Sequence, residues 1–475
     1  MSDTPQSQAV SVRARSLDAL RGLAILLMVL SGIVPFRVLP SWMYHAQLPP
    51  PTNAFNPELA GLTWVDLVFP MFLFAMGAAI PLALGRKLAK SVSSFKIHAG
   101  ILERGFMLAF FAIFLQHIRP FTINGDPDAA TWLFALAGFF TLFAIYVHPP
   151  KSWSAKAVWG LRGLGWISAI WLLYVVVFPD GSGFKLTRSD IIIIVLANMA
   201  VFGAWVWLAT RNNLILRLGI MAVLFGCILS AGTDGWVKSI WDSSPAPWVF
   251  RFYYLKYLFI IIPGIIAGEQ LLKWQDSLQN GVGSGWKTWR YTAIIAISIL
   301  IILTCLMGLQ SRAVVATVIV CSLASILLLY LVHNPISKHE FILKSVLQWG
   351  VFWLFLGLVF EPYEGGIKKD WSTFSYYFVT SGVTVLMLVS FMIVLDLFKK
   401  SAWVPLLVEN GQNPMLAYVG MMNLIYPILG LTGLDVLIQS ITPTPWLGVL
   451  RALIYTILLA WIVAVFTRKR IFWKT

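Results

Sequence analysis

Residues 31–70 read SGIVPFRVLPSWMYHAQLPPPTNAFNPELAGLTWVDLVFP, a polar, proline-rich linker between two apolar runs, about 17–38 and 63–85. Each run is long enough to cross a hydrocarbon core of roughly 30 Å, which makes the linker a loop at a membrane surface. His45 lies in that loop, and Asp66 lies one turn inside the second run. A carboxylate in a span costs on the order of 2.5–3.5 kcal/mol on insertion scales unless it meets a partner or a wet cavity. Histidine titrates near neutrality, and a carboxylate can fix its tautomer, so this pair is equipped to take a proton from a nucleophile. The plain alternative is a surface histidine in a loop stiffened by Pro49, Pro50 and Pro51.

Outward from this stretch the chain keeps the same character. With 59% apolar and 12% charged residues, 22 Trp and 32 Phe in 475 positions, it is expected to be an all-α, polytopic integral membrane protein with no soluble domain. The polar residues 1–16 precede a first run that keeps Asp18 and Arg21 and has no small-residue cleavage site, so that run reads as an uncleaved span. Cys227, Cys305 and Cys321 fall in separate predicted spans, which indicates neither a disulfide framework nor a zinc site. No phosphate loop, zinc-protease motif, dinucleotide fingerprint or basic-aromatic module is present, so neither a metal nor a nucleic-acid partner is expected.

Apolar runs near 17–38, 63–85, 98–118, 130–148, 157–178, 190–210, 214–231, 253–274, 291–308, 313–334, 341–362, 374–398, 414–430 and 446–467 predict twelve to fourteen spans, the connectors 211–213 and 309–312 being the weakest joints. The net charge of +15 is explained first by the positive-inside bias. With residues 1–16 cytoplasmic, Arg13, Arg15, Arg86, Lys87, Lys90, Lys96, Lys399, Lys400 and the basic tail 468–475 gather on that side, and the His45 loop faces out.

The outer loops 232–252 and 361–373 hold Trp248 and, in the second, Glu361, Glu364, Asp370 and Trp371. Tryptophan at a membrane surface ordinarily anchors; the functional alternative is a sugar site, where indole faces cover pyranose C–H surfaces and carboxylates take hydroxyl or ammonium hydrogens. Asp18 and Arg21, three apart on one helical face, can pair with each other or with an anion. Arg104 opens the third span, while for Arg119 and Lys256 snorkelling is the ordinary account. Asn413 before Pro414 is ordinary helix-start chemistry.

Four blocks carry a family resemblance: SLDALRGLAILLMVL (16–30), LTWVDLVFPMFLFAMGAAIPLAL (62–84), NPMLAYVG (413–420) and RKRIFWKT (468–475). Together they resemble the heparan-α-glucosaminide N-acetyltransferases and their bacterial relatives in the wider transmembrane acyltransferase group. The resemblance implies a transmembrane acyltransferase domain over 17–467, with two extra helix pairs near 190–231 and 313–362. It also implies a multi-pass protein of a bacterial inner membrane that passes an acetyl group from cytosolic acetyl-CoA to the amine of a glucosamine-ended saccharide outside. The family's catalytic histidine falls on His45, after Trp42 and Tyr44. Departures are Ser31 and Gly32 where an assisting Asn stands in the animal enzymes, Met421 where they have a histidine, and the insertion PPPTNAFNPE after His45.

On this basis His45 is expected as general base or transient acetyl carrier, oriented by Asp66. Asp18, Arg21, Arg86, Lys87, Arg104 and Asn413 are expected around the donor, and Trp42, Tyr44, Trp248, Lys256 and Glu361 around the acceptor. An O-acyltransferase of an envelope glycan and a secondary transporter using Asp66 and Lys256 as coupling groups are the alternatives. Oligomeric state is left open, a homodimer included.

Overall fold

Without water to receive them, backbone N–H and C=O groups in a bilayer must be satisfied within their own segment, and the apolar runs accordingly form helices. The computed structural model describes residues 14–150, 152–279, 285–399 and 404–475. Its principal helices are α1 (Arg15–Ser31), α2 (Trp64–Ala89), α3 (Ser94–Ile118), α4 (Ala129–Tyr146), α5 (Ala155–Val175), α6 (Ile191–Thr210), α7 (Leu214–Ser230) and α8 (Leu258–Gln279). They continue with α9 (Thr288–Gln310), α10 (Val314–Leu331), α11 (Lys338–Tyr363), α12 (Phe374–Leu397, its last turn π-helical), α13 (Val404–Gln412), α14 (Pro414–Thr432, with a π turn at Met421–Ile425) and α15 (Pro445–Arg468). Two-residue strands β1 (Val147–His148) and β2 (Phe472–Trp473) pair antiparallel.

Among the described residues, twelve helices are long and apolar enough to cross a membrane. The chain is an all-α, multi-pass membrane protein. The 17-residue helices α1 and α7 occupy the remaining two of the fourteen apolar runs. Both weak joints are tight turns. Asn213 caps α7 by accepting from the Leu216 amide at 2.9 Å, and Arg312 takes a left-handed φ of 59° between α9 and α10.

That second turn brings together two of the cysteines the sequence sets apart. Cys305 and Cys321 face each other across the α9–α10 hairpin as free thiols, Sγ to Sγ 3.7 Å. The eighth span begins where expected, on a 3₁₀ turn at residues 252–257 that leads into α8, and Lys256 sits in that leading turn. Helix α6 packs on α2 and α3 in the middle of the bundle.

Burial follows the bilayer's logic of apolar surface outside as well as inside. Only 17% of the apolar window of α5 is buried, and Ile167, Ile170 and Trp171 face outward, whereas α2 and α12 are 83% buried. Helices associate in lipid through close packing of small residues. Gly264 and Gly268 of α8 lie against the Phe74 and Ala78 carbonyls of α2, and Gly411 of α13 lies against the Asp18 carbonyl of α1. A Cβ at Gly268 would overlap the Ala78 carbonyl oxygen. Gly268→Val is therefore expected to destabilise by about 1–3 kcal/mol through overpacking, read as a lower thermal midpoint of the detergent-solubilised protein.

Candidate active site

The first turn of α2 builds the site. Thr63 is the N-cap and Asp66 the third helical residue, and they form a capping box in which Asp66 Oδ2 accepts the Thr63 amide at 3.1 Å. An acidic group here meets unpaired amides and the positive end of the helix dipole, which is why α2 tolerates it. The same Oδ2 accepts the Ala46 amide at 3.1 Å, pinning the residue after His45 to the helix start. Tyr376 of α12 donates to the Asp66 carbonyl at 2.9 Å, holding the turn from the other side.

With Oδ2 so occupied, Asp66 Oδ1 meets Nδ1 of His45 at 2.5 Å. On the far side of the ring, Nε2 lies 3.2 Å from Asp370 Oδ2. The imidazole thus stands between two carboxylates, one 1% exposed and the other 50%. Asp370 is held through its backbone: its amide donates to Gln47 Oε1 at 2.8 Å, and its carbonyl accepts from Gln47 Nε2. Glu364 fixes the end of the same loop by capping the Phe374 and Ser375 amides at 2.7 and 2.8 Å.

Burial, the largest single influence on His45, pulls its pKa down, but hydrogen bonds to Asp370 and Asp66 and the Asp66 charge outweigh it, and the net pKa lies above the ordinary 6.5. Burial likewise pushes Asp370 up, yet the His45 hydrogen bond and the Lys369, His45 and Lys256 charges leave it below the ordinary carboxylate value.

The other acceptor-side candidates have distinct surroundings. The Tyr44 hydroxyl is used within the loop, donating to the Pro35 carbonyl at 2.8 Å and accepting the Leu39 amide at 2.9 Å. Trp42 is exposed beside Trp446, ring centroids 6.5 Å apart, and Trp248 is partly exposed. Lys256 places its ammonium 3.3 Å from the Tyr253 ring centroid. Glu361 is ion-paired to Arg312 at 2.5 Å.

At the opposite end of the bundle, Arg21, Arg104, Gln412 and Lys474 line a cavity of about 270 Å³ whose lining has three basic side chains and no Asp or Glu. Arg21 donates to the Gly411 carbonyl at 3.1 Å and lies 3.8 Å from Asp18. Arg104 has an enclosed Nε without a hydrogen-bond partner among the described residues. Asn413 acts indirectly: it donates to the Ile471 carbonyl and accepts the Trp473 amide, both at 2.9 Å, and so seats the segment that carries Lys474. Arg86 and Lys87 are exposed at the end of α2 and do not line this cavity.

Two further cavities lie along the bundle, sharing lining residues in sequence. Phe72, Leu108, Leu196, Pro414 and Met415 also border an apolar one of about 50 Å³, and Met28, Ile192 and Tyr418 border both that one and a third of about 520 Å³. The third is lined by Ser31, Gly32, Arg119 and Asp190, where Asp190 accepts from Arg119 at 2.9 Å and from the Tyr418 hydroxyl at 2.8 Å. The series runs from the basic end of α1 to its other end, and His45 is not among the linings of these three cavities. Sequence reasoning missed Thr63, Gln47, Gln412 and Asp190 as parts of these sites. The capping box alone was visible, as a Thr three residues before an acidic one.

A base must be neutral to act, so a raised His45 pKa places the acid limb of any reaction it serves above pH 6.5: rate falls as pH drops through that limb. Asp66→Asn, which removes the charge while keeping the shape, is expected to lower turnover by about 10²–10⁴-fold, measured with the fold checked by thermal midpoint.

Human heparan-alpha-glucosaminide N-acetyltransferase is 37% identical over 101 residues, 21% of this chain, and the matched stretch is 13% of that protein's length, a distant and partial relationship. The profile of the family described as "Domain of unknown function (DUF5009)" matches residues 13–271, just over half of the chain and the part that holds Arg21, His45, Asp66 and Arg104. The chain belongs to the DUF5009 family.

Proposed function

We propose that this protein is a membrane acetyltransferase that moves an acetyl group from acetyl-CoA on the face of Arg21, Arg104 and Lys474 to the amine of a glucosamine-ended saccharide on the face of His45. The observation that carries this reading is the buried Asp66 carboxylate set against Nδ1 of the loop residue His45 at 2.5 Å. A carboxylate on one ring nitrogen makes the other the working nitrogen of a general base. The positive-inside bias supports a cytoplasmic position for the basic face and an outer one for His45.

The donor end fits the same reading. A 3′-phospho-ADP group carries several negative charges, which two guanidiniums and an ammonium in a lining without Asp or Glu side chains suit. A thin acyl-bearing arm suits the narrow apolar cavity beyond, and the third cavity includes Ser31 and Gly32, the beginning of the loop that bears His45.

In the reaction an acceptor R–NH₃⁺ gives a proton to His45, and the neutral amine attacks the thioester carbonyl. The C–N bond forms, the C–S bond breaks, the thiolate takes one proton, and a second proton goes to solvent. His45 serves as the proton carrier between these partners.

Protein-containing membranes given labelled acetyl-CoA and glucosamine are expected to yield an alkali-stable labelled amide. An alkali-labile ester would indicate O-transfer instead, and sugar uptake without product a carrier. His45→Ala is expected to abolish transfer with the fold intact, and Arg104→Ala to weaken acetyl-CoA affinity about tenfold, as for loss of a charge-assisted contact.

A further inference from the structure

With Asp66 at Nδ1 and Asp370 at Nε2, both nitrogens of His45 face carboxylate oxygens, and only the doubly protonated imidazolium offers a hydrogen to each. In this arrangement Nε2, the nitrogen a base would use, is taken. The two carboxylates are not equivalent. Asp66 is locked by the Thr63 and Ala46 amides and is enclosed; Asp370 is half exposed, and its one side-chain hydrogen bond among the described residues is to His45. Gln47 grips the Asp370 backbone on both sides, so its carboxylate can turn between partners without the loop moving.

We propose that Asp370 is the carboxylate that receives the acceptor's ammonium, and that this cation replaces the His45 imidazolium which Asp370 holds at rest. The inference rests on the acyltransferase reading for its substrate and extends it to the residue that selects the acceptor. A primary ammonium exchanges for the imidazolium charge for charge. It also brings its own N–H groups beside the Nε2 it displaces.

Separated from Asp370, His45 gives its Nε2 proton to solvent, then takes one from the bound ammonium, whose nitrogen becomes the nucleophile. Every charged group around the pair is consistent with this exchange. Asp66 faces His45 from α2, Lys369 lies next to Asp370 on its loop, and Lys256 approaches from the leading turn of α8 with its ammonium over Tyr253. Neither lysine forms an ion pair with Asp370 among the described residues; after the His45 hydrogen bond, their charges favour its ionised form, and half of its side chain is open to a cation. The acceptor class that follows is a primary amine in its ammonium form, in preference to a hydroxyl acceptor; the proposed function supplies the sugar that carries it.

The test is binding of glucosamine to the purified full-length protein without donor, by titration calorimetry, for wild type, Asp370→Asn, Asp370→Glu and His45→Ala. Asp370→Asn is expected to weaken binding at least about tenfold, Asp370→Glu to restore most of it, and His45→Ala to bind as well as wild type or better, its competitor being gone. Wild-type affinity in Asp370→Asn overturns the proposal.

In turnover, Asp370→Asn is expected to raise KM for glucosamine but not for a neutral aminooxy acceptor such as O-methylhydroxylamine, and to move the acid limb to lower pH, since a carboxylate that stabilises the imidazolium is lost. An equal loss for both acceptors also overturns it. Glucosamine bound through Asp370 by a protein that transfers no acetyl would sink the acyltransferase reading alone; transfer with an unchanged KM in Asp370→Asn would sink the present proposal alone.

Discussion

The contact between Asp66 and His45 sets the terms for the rest of the molecule. A carboxylate 1% exposed in the first turn of a central membrane helix is costly to leave alone. Here two amides, the Thr63 hydroxyl and the imidazole surround it. Each of those partners must be held in place. The capping box fixes the amides, Tyr376 fixes the turn, and Gln47 carries the constraint to the loop of Asp370. Because α2 is also the helix that packs on α1 and α8, the site inherits the rigidity of the bundle's centre.

The two ends of the bundle are built for opposite charges. At one end Arg21, Arg104 and Lys474 line a cavity without acidic side chains; at the other, Asp66 and Asp370 flank one imidazole. Helix α1 joins the two regimes, with Arg21 near its start and Ser31 at its end, and cavities sharing Phe72, Met28 and Tyr418 follow its length. In the function proposed above, an anionic donor and a cationic acceptor approach from opposite faces.

The family match ends at residue 271, so it takes in His45, Asp66, Arg21 and Arg104 but stops before Asp370, Gln412, Asn413 and Lys474. Part of each candidate site therefore comes from a stretch of the chain outside the family's defined segment. Asp370 lies 325 residues from His45, and Asn413 reaches the closing strand 58 to 60 residues on.

Membrane class and helix number were legible in the sequence, because hydropathy over one helix length is a local property. The twelve to fourteen expected spans match the helices, both doubtful joints are real turns, and Asp66 sits where a Thr three residues earlier implies a capped start. What the sequence could not rank was which remote polar group meets which. Nothing local separates Asp370 from Glu361, yet the first faces His45 and the second faces Arg312. Nor could local pattern tell Arg104, turned into a cavity, from Arg86 and Lys87, exposed at a helix end, or bring Cys305 to Cys321. Those outcomes depend on how helices rotate and stack against one another, which is decided by glycine contacts such as Gly268 on Ala78 and Gly411 on Asp18 between segments distant in the chain.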